Sequence, residues 1–334
     1  MGIKSLAICD QDNGYLTMLQ AYLQKKKPAD FEILVFDTVK QAIDASCDEA
    51  FAIFLVGEKL YDSTVAKVKA SKVFVLQEDG ERGITGYSLI AKYQSMESLI
   101  AQVLDGYASD DNCDSASKCS GTKANLISFY APDRNKGQSF AALGAAQVLA
   151  GMGQKVLYLN LLPFTGFEEL LRTTYNSDIT DFMYFVLNRS DKLLYKLDSM
   201  KRTLHGVEYL PPALDYTDLL QISQKDWKHI LDILLYSGDY TDILVDLSET
   251  CQGFYHILER SDQSYILSDQ KSNSSQAMFV HFKNLLKAKE YDAILNHCVE
   301  FTLPKGWEQQ CDGLGSMAIS TMGAYMKGVI DIRN

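Results

Sequence analysis

The 334 residues carry 47% hydrophobic side chains and a formal charge of −11 at pH 7. That length suits about two domains with ordinary cores, and the acidic balance disfavours a large footprint on DNA or on an anionic membrane. No apolar run reaches the roughly 18 residues of a spanning helix, and the opening MGIKSLAICD meets an acid too early for a secretory leader, so a cytoplasmic chain without an integral membrane segment is expected.

The first hundred residues alternate short apolar runs with amphipathic stretches, the pattern of βα units around a parallel sheet. Strands are predicted at 3–8, 32–36, 51–56, 73–76 and 87–91. Leu16, Leu19, Tyr22 and Leu23 recur at helical spacing after the first strand, and Leu99, Ile100, Val103, Leu104 and Tyr107 do so after the fifth. From 108 to 124 the sequence SDDNCDSASKCSGTKAN loses any apolar face and reads as a linker.

A second α/β series follows, so the expected domains are 1–107, a linker at 108–124, and 125–334. It opens with a strand at 126–130, a loop and an Ala-rich helix at 137–151, then a strand at 155–159. Later strands are predicted at 207–210, 242–246, 264–268 and 292–295, with helices at 226–236 and 274–288, which is a doubly wound pattern. The stretch from Gly315 to Ile330 reads as a last helix, with packing on its own core as the ordinary use and membrane attachment as the alternative. The seven cysteines are odd in number and scattered, and the five histidines form no spaced cluster; reduced thiols and no metal set are expected.

The N-terminal half resembles the response-regulator receiver, a flavodoxin-like fold. Asp10 and Asp12 follow the first strand, where receivers hold Mg²⁺, and Lys92 ends the fifth, where they place a phosphate-pairing lysine. The acceptor aspartate is missing, because Val56 and Gly57 stand at the end of the third strand, Glu58 comes one residue late, and Gln77 replaces the hydroxyl of the fourth. Neither an aliphatic side chain nor glycine can serve as the carboxylate nucleophile. Helix capping is therefore the competing reading of Asp10 and Asp12, and protein contact the expected use of the domain.

The segment LISFYAPDRNKGQSFAALGAAQVLA has the strand, turn and helix of a P-loop. It resembles the deviant Walker A of the ParA/MinD family, GKGGxGK[ST]. In that alignment Pro132 stands at the first glycine, Asp133 at the signature lysine, and Arg134 and Asn135 at two further glycines. Lys136 takes the variable place, Gly137 is retained, Gln138 replaces the catalytic lysine, and Ser139 keeps the Mg²⁺ hydroxyl. The family's Asp-x-Asp after the next strand is Asn160 and Leu162 here, while Asp246 keeps the Walker B acid, with helix capping as its other reading. Asn296 would match an adenine-contacting Asn.

The domain order and layout, with KVLYLN and DITDFMYFVL, resemble the TadZ/CpaE proteins of Tad (Flp) type IV pilus systems. The resemblance implies a dimerising localisation factor that helps place pilus secretion machinery, working with pilus or secretion proteins and without specific nucleic acid. No cofactor is fixed by the sequence. ATP with Mg²⁺ is the group that the resemblance admits, held weakly by Lys136, Gly137, Gln138, Ser139 and Asp246, with Ser139 and Asp246 sharing the metal. An ATP-driven switch and a phosphorylation-responsive regulator are the alternative functions.

Overall fold

A computed structural model describes residues 4–26, 31–78, 84–108, 122–187, 193–310 and 317–331, and their contacts divide the chain into two compact units. The first unit holds β1 (Lys4–Cys9), β2 (Phe31–Phe36), β3 (Phe51–Gly57), β4 (Ala70–Gln77) and β5 (Ser88–Ala91). All are parallel, in the order β2-β1-β3-β4-β5, which is the flavodoxin-like order. The apolar run of β3 is buried along its whole length, as a central strand covered on both faces must be.

Three helices flank this sheet: α1 (Asn13–Lys26), α2 (Val39–Asp48) and α3 (Met96–Ala108). A capping box starts α2, with Thr38 Oγ1 accepting from Gln41 N while the Gln41 side chain accepts from Thr38 N. Between β3 and β4 the chain makes only two short 3₁₀ turns, Glu58–Leu60 and Val65–Lys67. Residues 109–121, most of the expected linker with Cys113 and Cys119, lie outside the described residues, as do Cys311 and Gly315.

The second unit opens with β6 (Asn125–Tyr130), α4 (Gly137–Gly151), β7 (Val156–Asn160), α5 (Phe167–Leu171) and α6 (Ile179–Leu187). The next helix, α7 (Leu193–Met200), belongs to the first unit, where it packs on α3. There Tyr195 stacks on Phe31 at 5.3 Å and meets Tyr107 edge-on at 5.2 Å. The second unit resumes with β8 (Arg202–Leu204), β9 (Val207–Tyr209), α8 (Tyr216–Gln221), α9 (Gln224–Leu235) and β10 (Asp242–Asp246). It ends with α10 (Phe254–Arg260), β11 (Gln263–Leu267), α11 (Asn273–Ala288), α12 (Asp292–Asn296), β12 (Cys298–Phe301), α13 (Trp307–Gln310) and α14 (Thr321–Asp331).

Its sheet runs β12-β11-β6-β10-β7-β9-β8, with only β8 antiparallel among the described strands. The small residues Ala141, Ala142, Ala145 and Ala146 of α4 share one core with the sheet, while Gly144 leaves room for Met322 and Met326 of α14, which complete that core. The last helix is thus an internal packing element, and no helix among the described residues is long and apolar enough to cross a membrane.

One predicted strand is corrected. DAIL at 292–295 lies in α12, and the edge strand is the following CVEF of β12. Asn296 therefore ends a helix rather than following a strand. A four-residue apolar run has no period long enough to separate the two states.

Candidate functional site

At the carboxyl ends of β1, β4 and β5 in the first unit, the acids and the lysine neutralise one another. Lys92, only 1% exposed, lies 3.0 and 2.9 Å from the two oxygens of Asp10 and 2.8 Å from Glu78, while Lys59 reaches Glu78 at 2.5 Å. Burial pulls the Lys92 ammonium down, but its bonds to Glu78 and Asp10 outweigh that and hold it above its ordinary value. Hydrogen bonds from Lys59 and Lys92 hold Glu78 below the usual carboxylate range. Asp12 caps α1, its Oδ1 accepting from Tyr15 N at 3.0 Å, and Asp10 Oδ1 accepts from Asp12 N at 2.9 Å. A Cβ on Gly57 would stand 2.4 Å from Asp10 Oδ2, so the Asp10 carboxylate fills the space of a side chain at 57.

In the second unit a parallel register sets Asn160 at the end of β7 directly beside Asp246 at the end of β10. Asp246 is fully buried and both its oxygens are occupied. Gln138 Nε2 donates to Oδ1 at 2.5 Å; Ser139 Oγ, Tyr158 Oη and Asn160 Nδ2 donate to Oδ2 at 2.5, 2.9 and 3.2 Å. Burial pushes the Asp246 carboxyl up to about 6, against the downward pull of those hydrogen bonds. The Gln138 amide also donates to the carbonyls of Phe129 and Leu247 at 3.1 and 2.9 Å. It is anchored inward, between the ends of two strands. Leu162 contributes its backbone, donating its N–H to Asn160 Oδ1 at 3.0 Å.

The loop between β6 and α4 turns its amides onto its own side chains. Gly137 N donates to Asn135 Oδ1 at 2.9 Å and Asn135 N to Asp133 Oδ1 at 3.2 Å, while Asp133 Oδ2 accepts from Ser275 at 2.6 Å. Arg134, at φ 55°, pairs with Glu249 at 2.5 Å, and Lys136 with Glu308 at 3.3 Å. Leu303 and Trp307 lie over Gly137, where a Cβ would stand 2.3 Å from Leu303 Cδ1 and 2.8 Å from Trp307 Cζ2. An anion cradle of this type needs free N–H groups and an uncovered helix start. Here a carboxylate, an amide oxygen and an indole hold those places. Both candidate cations are turned to surface acids, so these residues do not fit a magnesium–triphosphate.

Lys136, Gly137, Gln138, Ser139 and Asp246 thus share one strand-end neighbourhood, with only Gln138 and Ser139 touching Asp246. Tyr158 was missed by the sequence reading. It is two residues before Asn160 on one strand, so period-two alternation points both to the same face. Trp307 and Glu308 left no local signal, being 170 residues and more from the loop in sequence.

No family model and no curated protein matches the chain. Among solved structures it is similar to a ParA-family ATPase from Chlorobium tepidum TLS, at 16% identity over 64% of this chain and 99% of that one, with a TM-score of 0.50. It is also similar to the MinD cell division protein of Aquifex aeolicus, at 18% identity, 56% and 72% coverage and a TM-score of 0.41. A plasmid partition protein from Borrelia burgdorferi matches at 16% identity, 64% and 98% coverage and 0.43. At these identities the likeness is one of fold. The chain contains the ParA/MinD-like P-loop NTPase fold.

Proposed function

We propose that this chain is a TadZ/CpaE-like localisation and assembly factor for a Tad pilus system, a cytoplasmic scaffold whose nucleotide site has become structural. The carrying observation is the Asp246 carboxylate, whose two oxygens are taken by Gln138, Ser139, Tyr158 and Asn160. In a fully buried position both oxygens of this acid face protein donors, and the glutamine at the lysine's place supplies no charge. Phosphoryl transfer rests on positioning and charge neutralisation, and loss of one preorganised donor costs on the order of 10²–10³ in rate. Both the charge and the cradle have gone.

The first unit fits the same reading. Its flavodoxin-like order survives, but the acceptor position is Val56 and Gly57, and Lys92 is committed to Asp10 and Glu78. Surfaces rather than chemistry remain for it to offer. Calorimetric titration with Mg-ATP and a phosphate-release assay, on wild type and Asp246→Ala, test the scaffold reading. We expect no saturable binding below the millimolar range and no turnover. Micromolar binding with hydrolysis abolished by the substitution would establish the ATPase switch instead. For the pilus role, a fluorescent fusion should form foci where pili emerge and deletion should remove the pili; diffuse signal with normal piliation overturns it.

A further inference from the structure

At the carboxyl ends of β7 and β9 the second unit opens a cleft of about 810 Å³, walled by the loop before α5 on one side and by Pro212, Ala213 and Leu214 on the other. Open α/β sheets carry their ligands at this edge. Gly166 at φ 62° and Arg172 at φ 50° bracket the single-turn α5 and fix the first wall. Two large apolar side chains project from the rim rather than into the core, Phe164 and Leu214, each 87% exposed.

The charge of the cleft has one sign. Glu168, Glu169, Asp178 and Asp181 line it with no lysine or arginine among its described lining, and none of the four is ion-paired with a base among the described residues. Backbone donors hold three of them in place: Tyr175 N on Glu168 at 2.8 Å, Thr180 N and Leu214 N on Asp178 at 2.7 and 2.9 Å, and Asp178 N on Asp181 at 2.9 Å. Asp215 and Asp218 extend the same sign along the start of α8.

We infer that this cleft docks a basic amphipathic segment of a partner protein, its apolar side chains covering Phe164 and Leu214 and its lysines or arginines facing the four carboxylates. Charge decides among occupants. Nucleic acid and anionic lipid are repelled, and a second copy of a chain of charge −11 would set acids against acids. A small cation satisfies the carboxylates but leaves both projecting side chains in water. A helix laid along a groove meets both demands. The inference is independent of the pilus reading, since it names a surface and a chemistry that any scaffold role could use.

The test uses the full chain and a labelled helical peptide of about 16 residues with leucines on one face and lysines beside them. Fluorescence anisotropy is measured at low and high salt, against a glutamate-for-lysine version, a serine-for-leucine version, and spermine. We expect saturable binding of the first peptide alone, weakened by salt, with amide-exchange protection in residues 163–181 and 212–218. Phe164→Ser and Leu214→Ser should each cost about tenfold in affinity, and Glu169→Lys a similar amount; all three sites are exposed, so the variants will fold. Absence of binding, binding unchanged in the variants, or a spermine affinity matching the peptide's would each overturn the inference. So would self-association lost in Phe164→Ser, which would make a second copy the occupant.

Discussion

The buried carboxyl of Asp246 makes the strand-end cluster a titrating element. Its value rises from an ordinary 3.8 to about 6 because burial disfavours the charge. A carboxyl raised on folding holds its proton more tightly in the native than in the unfolded chain, so its protonation favours the fold. That contribution is complete below about pH 4 and is lost as pH rises through about 6, and the span corresponds to about 3 kcal/mol. Wild type should therefore lose stability relative to Asp246→Asn between about pH 4 and 6 and run parallel to it above, as urea denaturation at closely spaced pH values will read. Parallel curves throughout would place the carboxyl at its ordinary value. At the other pocket, Gly57→Asp sets a second carboxylate on Asp10, whose Oδ2 is 2.4 Å from the added carbon. We expect a loss on the order of 2–3 kcal/mol and no aspartyl adduct with acetyl phosphate by mass spectrometry. The positions of these residues were legible from strand ends and loop spacing alone. Their engagements were not, because a residue type says what a group can bond to but not which neighbour is nearest.

Among the elements, α14 offers a controlled comparison. A Cβ on Gly323 would stand 2.3 Å from Met317 O, a backbone atom that cannot swing aside, whereas one on Gly328 meets nothing within 4 Å. Gly323→Ala should cost about 1–3 kcal/mol, and Gly328→Ala should add about 0.5–1 kcal/mol by helix propensity. Denaturant midpoints of the two variants check the pair. Equal effects would mean that the start of α14 does not lie against the Met317 and Ala318 carbonyls. Long periodic elements such as α4, α9 and α11 were legible to within two residues, and so were the buried parallel strands apart from β4, which starts at Ala70, three residues before its predicted start. The short 292–301 stretch was not. DAIL and CVEF are four-residue runs of similar polarity, and pairing with β11, which decides between them, lies outside local sequence.

At the scale of the molecule, association is expected without nucleotide, because Asp133 stands where the ParA/MinD pattern has its cross-dimer lysine and is already bonded to Ser275. Sedimentation velocity with and without Mg-ATP should give the same species; strict dependence on nucleotide would reverse the reading of the loop. Two α/β units were legible from alternating patterns. The membership of α7 was not, since its eight residues are amphipathic like those of its neighbours and nothing local names the sheet they serve. Tyr195→Ala tests that placement through the first unit, with an expected loss of about 2–3 kcal/mol from the rings of Phe31 and Tyr107. This helix also sets an order of events during synthesis. The first sheet and α3 leave the ribosome well before Leu193–Met200, and at roughly 5–20 residues per second the nascent N-terminal unit waits on the order of several seconds with the Tyr107 edge uncovered. Chaperone capture of arrested chains should therefore peak for those stopped between α3 and α7 and fall once residue 200 has cleared the tunnel.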